Sequence, residues 1–265
     1  MNVYREKDDG GIMCGNLPKG SGAALGSIEK RIVGSKTCGT ERQYHVEIMS
    51  LQGGKSCGGS LLNTRWVLTA SHCAEQMVKV KLAVNSDLPM YKKIWSFLKG
   101  SSKVTEQDIN TKQQFTYKGE DGKAHDIMLI KLNQDMSAKV PTIQLPPEGC
   151  TKPEESKQVQ IGGWGAKKAG GTAANSLKCA STEIIKCGEN DKPNSNYFSD
   201  ETTTMCAFRS GVETCFGDAG SAVEYKNLLH GIIVSNPVDT CVSTVVMLDI
   251  CYYRKWIQET IRANP

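Results

Sequence analysis

The sequence predicts an all-β protein of sandwich or barrel type, on three observations. Short strand candidates recur from residue 44 onward, at Ser60–Leu62, Trp66–Thr69, Ile127–Leu132, Gln158–Ile161 and Leu229–Val234. Clusters of Gly, Pro and Asn punctuate them. In the first candidate Tyr44, Val46 and Ile48 alternate with His45, Glu47 and Met49, the period of a half-buried strand. The C-terminus differs: Tyr253, Trp256, Ile257 and Ile261 recur at helical spacing, which predicts a terminal helix packed by one face.

The 265 residues suffice for one large all-β unit or two small ones. Apolar residues make up 39% and charged residues 23%, so the chain can bury a sizeable core. The net charge of +4 is too small to suggest a nucleic-acid partner. Eleven cysteines point to disulfides and an oxidising compartment, hence a secreted or extracellular protein. Zinc is the other use of such residues, but there is no Cys-x2-Cys pair and only four His. No apolar run is long enough to span a bilayer, and there is no Asn-x-Ser/Thr sequon.

Residues 1–31 read as polar loop, with a linker-like stretch at 20–27 that is either natural or an artificial addition. Met1 to Gly10 is charged and is no signal peptide, so the natural start is expected to be missing.

Acyl transfer to a serine needs an activated hydroxyl, an imidazole base, an orienting carboxylate and oxyanion donors. Three stretches bear on that chemistry: Trp66 to Cys73 around His72, His125 to Leu132 around Asp126, and Cys215 to Ala222 around Ala219. They resemble the His, Asp and Ser motifs of the chymotrypsin/trypsin family, in that chain order. Arg31-Ile32-Val33-Gly34 resembles the family's activation site. Cys57-Gly58-Gly59-Ser60-Leu61 and Gly162-Gly163-Trp164-Gly165 resemble two of its structural signatures.

The resemblance implies two six-stranded antiparallel β-barrels, chymotrypsin-like, meeting near residue 147, with a C-terminal helix over about 251–262. It implies a domain of 32–265 behind a pro-segment of 1–31. His72 would be the general base and Asp126 its orienting carboxylate. Gly217 and Ala219 would present backbone N–H groups to the oxyanion. Asp218 would pair with the new amino group of Ile32 after cleavage at Arg31. His125 and His45, lacking a motif of their own, read as structural.

Ala219 departs from the family, because a methyl group cannot attack a carbonyl. Ser221 lies two residues later, where reaching His72 needs a different loop geometry. Substrate-binding positions also depart. Glu213 stands where trypsin-like members carry Asp. Ser235-Asn236-Pro237 replaces Ser-Trp-Gly, and Pro237 has no N–H to offer an extended substrate. Val245 falls where the family often has a wall Gly. The chain therefore reads as an inactive serine protease homologue that acts by binding. The alternative is an active secreted endopeptidase, activated after Arg31 and carrying here an engineered Ser-to-Ala change.

By resemblance the disulfides are Cys38–Cys179, Cys57–Cys73, Cys150–Cys251, Cys187–Cys206 and Cys215–Cys241. Val159 and Tyr225 stand where a further family bridge would fall. Cys14 is left over. No cofactor or metal is expected; the region 84–97 holds only Asp87, too few oxygen ligands for calcium. The expected partner is a protein or peptide in the cleft. The segment Tyr91 to Lys99 sets Tyr91, Ile94, Trp95 and Leu98 at helical spacing among lysines. It is either a loop helix packed on the barrel or, with Lys103, Lys112, Lys118 and Lys123, a basic surface for an anionic glycan or bacterial surface.

Overall fold

Alternation of apolar and charged residues in Val78-Lys79-Val80-Lys81 makes a strand with one wet face: both valines are buried and both lysines reach solvent. The computed structural model describes residues 36–265 apart from 53–55, 83–105, 137, 139, 165–175, 194, 211, 213–217 and 235–243. Glu213, Gly217, Ser235, Asn236, Pro237, Cys215, Cys241, Arg31, Ile32, Cys14 and the segment 91–99 lie outside the described residues.

The described strands are β1 (Lys36–Thr37), β2 (His45–Ser50), β3 (Ser56–Leu61), β4 (Trp66–Thr69), β5 (Val78–Lys81), β6 (Glu106–Ile109) and β7 (Gln114–Lys118). They continue with β8 (Ala124–Lys131), β9 (Gln158–Gly163), β10 (Lys178–Ile185), β11 (Thr204–Phe208), β12 (Ala222–Tyr225), β13 (Leu228–Ile233) and β14 (Thr244–Asp249). Among the described residues one α-helix, α1, spans Ile250–Ala263.

Two antiparallel sheets form, and their order explains the barrel shape. The first runs β6-β5-β2-β3-β4-β8-β7. Its edge strands β6 and β7 are consecutive in the chain, joined by a 3-10 turn whose Asn110 side chain accepts from Lys112 N. The turn links the two edges through the chain, but among the described residues no ladder joins β6 to β7, so this sheet curls as a half-barrel. The second runs β1-β10-β11-β14-β13-β12-β9, and β9 also pairs with β10. Six strands therefore close on themselves, with β1 added outside.

Two apolar clusters fill the fold, and the larger also takes in Ala222, Ile232 and Leu248 from the second sheet. One cluster runs from Val46, Ile48, Val67 and Ile130 across to Tyr253 and Ile257 of the helix. The other holds Val159, Ile161, Val223, Val245 and Met247. Val245 is fully buried there. His45, on the face of β2 opposite Val46 and Ile48, is buried as well. It is only 1% exposed, because the second barrel covers that face.

Four disulfides join described residues: Cys38–Cys179, Cys57–Cys73, Cys150–Cys251 and Cys187–Cys206. No described helix is long and apolar enough to cross a membrane.

The helix starts at Asp249, whose carboxylate accepts from Cys251 N at 3.0 Å. Burial raises its pKa to about 6, against the helix-terminal hydrogen bonds that lower it. A folded-state acid with a raised pKa favours folding only while protonated. Stability should therefore fall as pH rises from about 4 to about 6 and stay level above. Asp249→Asn keeps the capping oxygen and loses the charge. Above pH 6 it should be more stable than the parent by on the order of 1–3 kcal/mol, and at pH 4 about equal, by denaturant titration.

Candidate active site

The chain leaves β4 at Thr69 and turns through a 3-10 segment, Ser71–Cys73, that presents His72. Asp126 faces it from β8. The Asp126 carboxylate is 1% exposed, and both of its oxygens are used. Oδ1 accepts from the His72 backbone N at 2.9 Å, and Oδ2 lies 2.7 Å from His72 Nδ1. A carboxylate acceptor fixes the proton on Nδ1, leaving the Nε2 lone pair as the ring's free base. The Ser71 hydroxyl, bonded to His125 O at 3.2 Å, holds the turn to β8. Two carboxylate bonds and this tether fix the ring in one orientation.

The Ala219 turn reaches the same place from the second barrel. Ala219 O accepts from Gly58 N at 2.8 Å and lies 3.7 Å from Cys73 Sγ. The Cys57–Cys73 disulfide joins the neighbours of Gly58 and His72, so turn and imidazole share one rigid support. Gly220 has φ +80°, and a Cβ there would lie 2.3 Å from both Gly58 O and Thr69 Oγ1. Asp218 is buried against Gly163, where a Cβ would lie 1.9 Å from its Oδ1.

Among the described residues no hydroxyl hydrogen-bonds His72 Nε2, whose polar neighbour is Cys73 Sγ at 3.8 Å. Ser221 does not fill that role. It is fully buried, and its Oγ lies over Gly58, 2.0 Å from where a Cβ of that glycine would be. Cys57, His72 and Cys73 cluster as metal ligands do, but their sulfurs form the disulfide and offer no thiolate.

Two residues near the dyad, Tyr197 and Phe198, had no signal in the sequence. Phe198 N donates to Ala124 O at 2.8 Å, and the Phe198 ring stands 5.0 Å from that of His125. This brings a second-barrel loop onto the start of β8. Burial, then Glu75, then Asp126 push the Tyr197 phenol upward. Such a contact between distant loops leaves no periodicity to read. His125 itself is structural: Nδ1 meets the Tyr253 hydroxyl at 2.7 Å, and burial lowers its pKa. On the first barrel Lys112 and Lys118 are exposed, while Lys79, Lys81 and Lys123 pair with acidic neighbours.

A family model described as Trypsin matches residues 31–257. The chain belongs to the trypsin family. It is 31% identical to the trypsin of Sus scrofa over 249 residues, covering 89% of this chain and 98% of that one. The structure resembles neuropsin, a serine protease of mouse brain, at 26% identity and a TM-score of 0.64, covering 86% of this chain and 98% of that one. Human heparin binding protein shares the fold, at 19% identity and a TM-score of 0.64, over 88% of this chain and 97% of that one. Four disulfides in a trypsin-family chain fit an extracellular protein.

The crowding at Gly220 gives a test. Gly220→Ala should cost at least ~2 kcal/mol in thermal or denaturant unfolding, since both contacts are rigid. Gly122→Ala, also at positive φ (+76°) but with nothing within 4 Å, should cost only the backbone penalty, about 1–2 kcal/mol.

Proposed function

We propose that this trypsin-family domain is secreted, has no peptidase activity as written, and acts by holding a protein or peptide in its cleft. One observation supports the reading: the ordered His72–Asp126 pair lies beside the Ala219 turn, whose backbone approaches the neighbouring Cys73, and residue 219 carries a methyl and no hydroxyl. The nearest other hydroxyl on that turn, Ser221, is buried behind it.

In the family's chemistry His72 would take a proton from a serine at 219, which this chain lacks, and Asp126 would hold the ring and steady its charge. The N–H groups of Gly217 and Ala219 would bind the developing oxyanion. A backbone donor survives a side-chain change, so a bound carbonyl could still be gripped and not attacked. The domain would begin at Ile32, freed by cleavage after Arg31, and its amino group would neutralise the buried Asp218. Glu213, Ser235, Asn236 and Pro237 would shape the substrate path, and Cys215–Cys241 would brace it; Val245, buried in the second-barrel core, is not part of that path. In a measured protease, loss of the serine costs about 2 × 10⁶ in rate. The intact dyad also suits the second reading, a working endopeptidase silenced only at 219.

The test compares Ala219→Ser with the chain as written, both cleaved after Arg31, on a mixed peptide library. The chain as written should show no cleavage above background. If the variant cuts, the cleft accepts peptides and Ala219 alone silences it. If neither cuts although both expose Ile32, peptide substrates do not fit and the cleft-binding proposal fails.

A further inference from the structure

Behind the Ala219 turn, on the side away from His72, three buried polar side chains meet with nothing in the described chain to bond. Both ring nitrogens of His45, the Ser60 hydroxyl and the Ser221 hydroxyl have no hydrogen-bond partner. His45 is 1% exposed; Ser60 and Ser221 are fully buried. They belong to one place. His45 and Ser60 are direct register partners of β2 and β3, so their side chains share a sheet face about 4.5–5.5 Å apart. Gly58, two residues from Ser60, lies on that same face, and a Cβ there would stand 2.0 Å from Ser221 Oγ and 2.9 Å from His45 Cε1. The first-barrel core is on the other face, where Gly59 meets Val46, Val67 and Ile48. The three groups therefore line the seam between the barrels.

We infer that this seam is a binding site for ordered water, held by His45, Ser60 and Ser221 behind the Ala219 turn. A buried polar group without a partner costs about 1–3 kcal/mol, and three in one place are too costly to leave unpaired. Bound water usually makes about three hydrogen bonds to such groups. The donor and acceptor of a neutral imidazole and two rotatable hydroxyls supply that set.

The chemistry disfavours a cation. Burial first, and then the Arg42 guanidinium, lower the His45 pKa to about 3, so the ring carries no charge. The same guanidinium repels a cation. The acid on this face of β2, Glu47, is engaged by Lys81 at 3.6 Å. The water would tie the Ser221 side chain to the first barrel, beside the backbone bonds that already fix the turn.

Ser221→Ala decides the matter by sign, in the full chain. With water bound, the variant strips it of a partner, and the melting temperature should fall by ~2–4 °C. A crystal structure of the parent should show density within hydrogen-bonding reach of His45 and Ser221. In a dry seam, removing an unbonded buried hydroxyl relieves a penalty. A rise in melting temperature, or a seam without water in the crystal, overturns the inference.

Discussion

The Ala219 turn can meet the first barrel only because residue 58 has no side chain. Gly58 N reaches Ala219 O at 2.8 Å, and the Gly220 backbone passes so close that a Cβ would sit 2.3 Å from Gly58 O. The Ser221 hydroxyl then takes the space that a side chain at 58 would need. Three consecutive residues of one barrel are thereby set against one glycine of the other. His72 stands on the far side of the Cys57–Cys73 disulfide, so its distance from residue 219 is fixed by the same contact. Without this approach there would be two barrels and no shared site.

A second tie crosses the barrels at Arg42. Its guanidinium is almost fully buried, donates to Ala222 O at 2.9 Å and Gln160 O at 2.6 Å, and pairs with Glu224 at 3.3 Å. The Tyr44 hydroxyl bonds the same carboxylate. Such a network is a poor stability device against an apolar alternative, but removing one partner strands a buried charge, typically at ~3–5 kcal/mol. It fixes β9 and β12 against the start of β2, and so fixes the register in which the Ala219 turn arrives. The orphaned groups of His45, Ser60 and Ser221 lie along the same seam, which is polar where most domain interiors are not.

The all-β class was legible because strand alternation and turn residues are local; the two barrels were implied by the family resemblance. The terminal helix was legible from the spacing of Tyr253, Trp256, Ile257 and Ile261. What buries His45 was not: alternation alone leaves its face of the strand open, and only the arrival of a distant segment at Ser221 covers it. Tyr197 and Phe198 were invisible for the same reason, since the chain between Cys187 and Cys206 carries no periodicity that places it on β8. The motif around His72 announced a site, yet Gly58 entered the sequence reading only as part of a signature. That it supports the Ala219 turn is a matter of packing between segments 161 residues apart in the chain, from Gly58 to Ala219.

The central claim is that residue 219 stands at the nucleophile position and Ser221 does not. A fluorophosphonate reports this directly, because an activated serine displaces its fluoride and keeps the phosphonyl group. After cleavage at Arg31, mass spectrometry should find no adduct on the chain as written and a single one, at 219, after Ala219→Ser. An adduct on Ser221 in the chain as written would contradict the account.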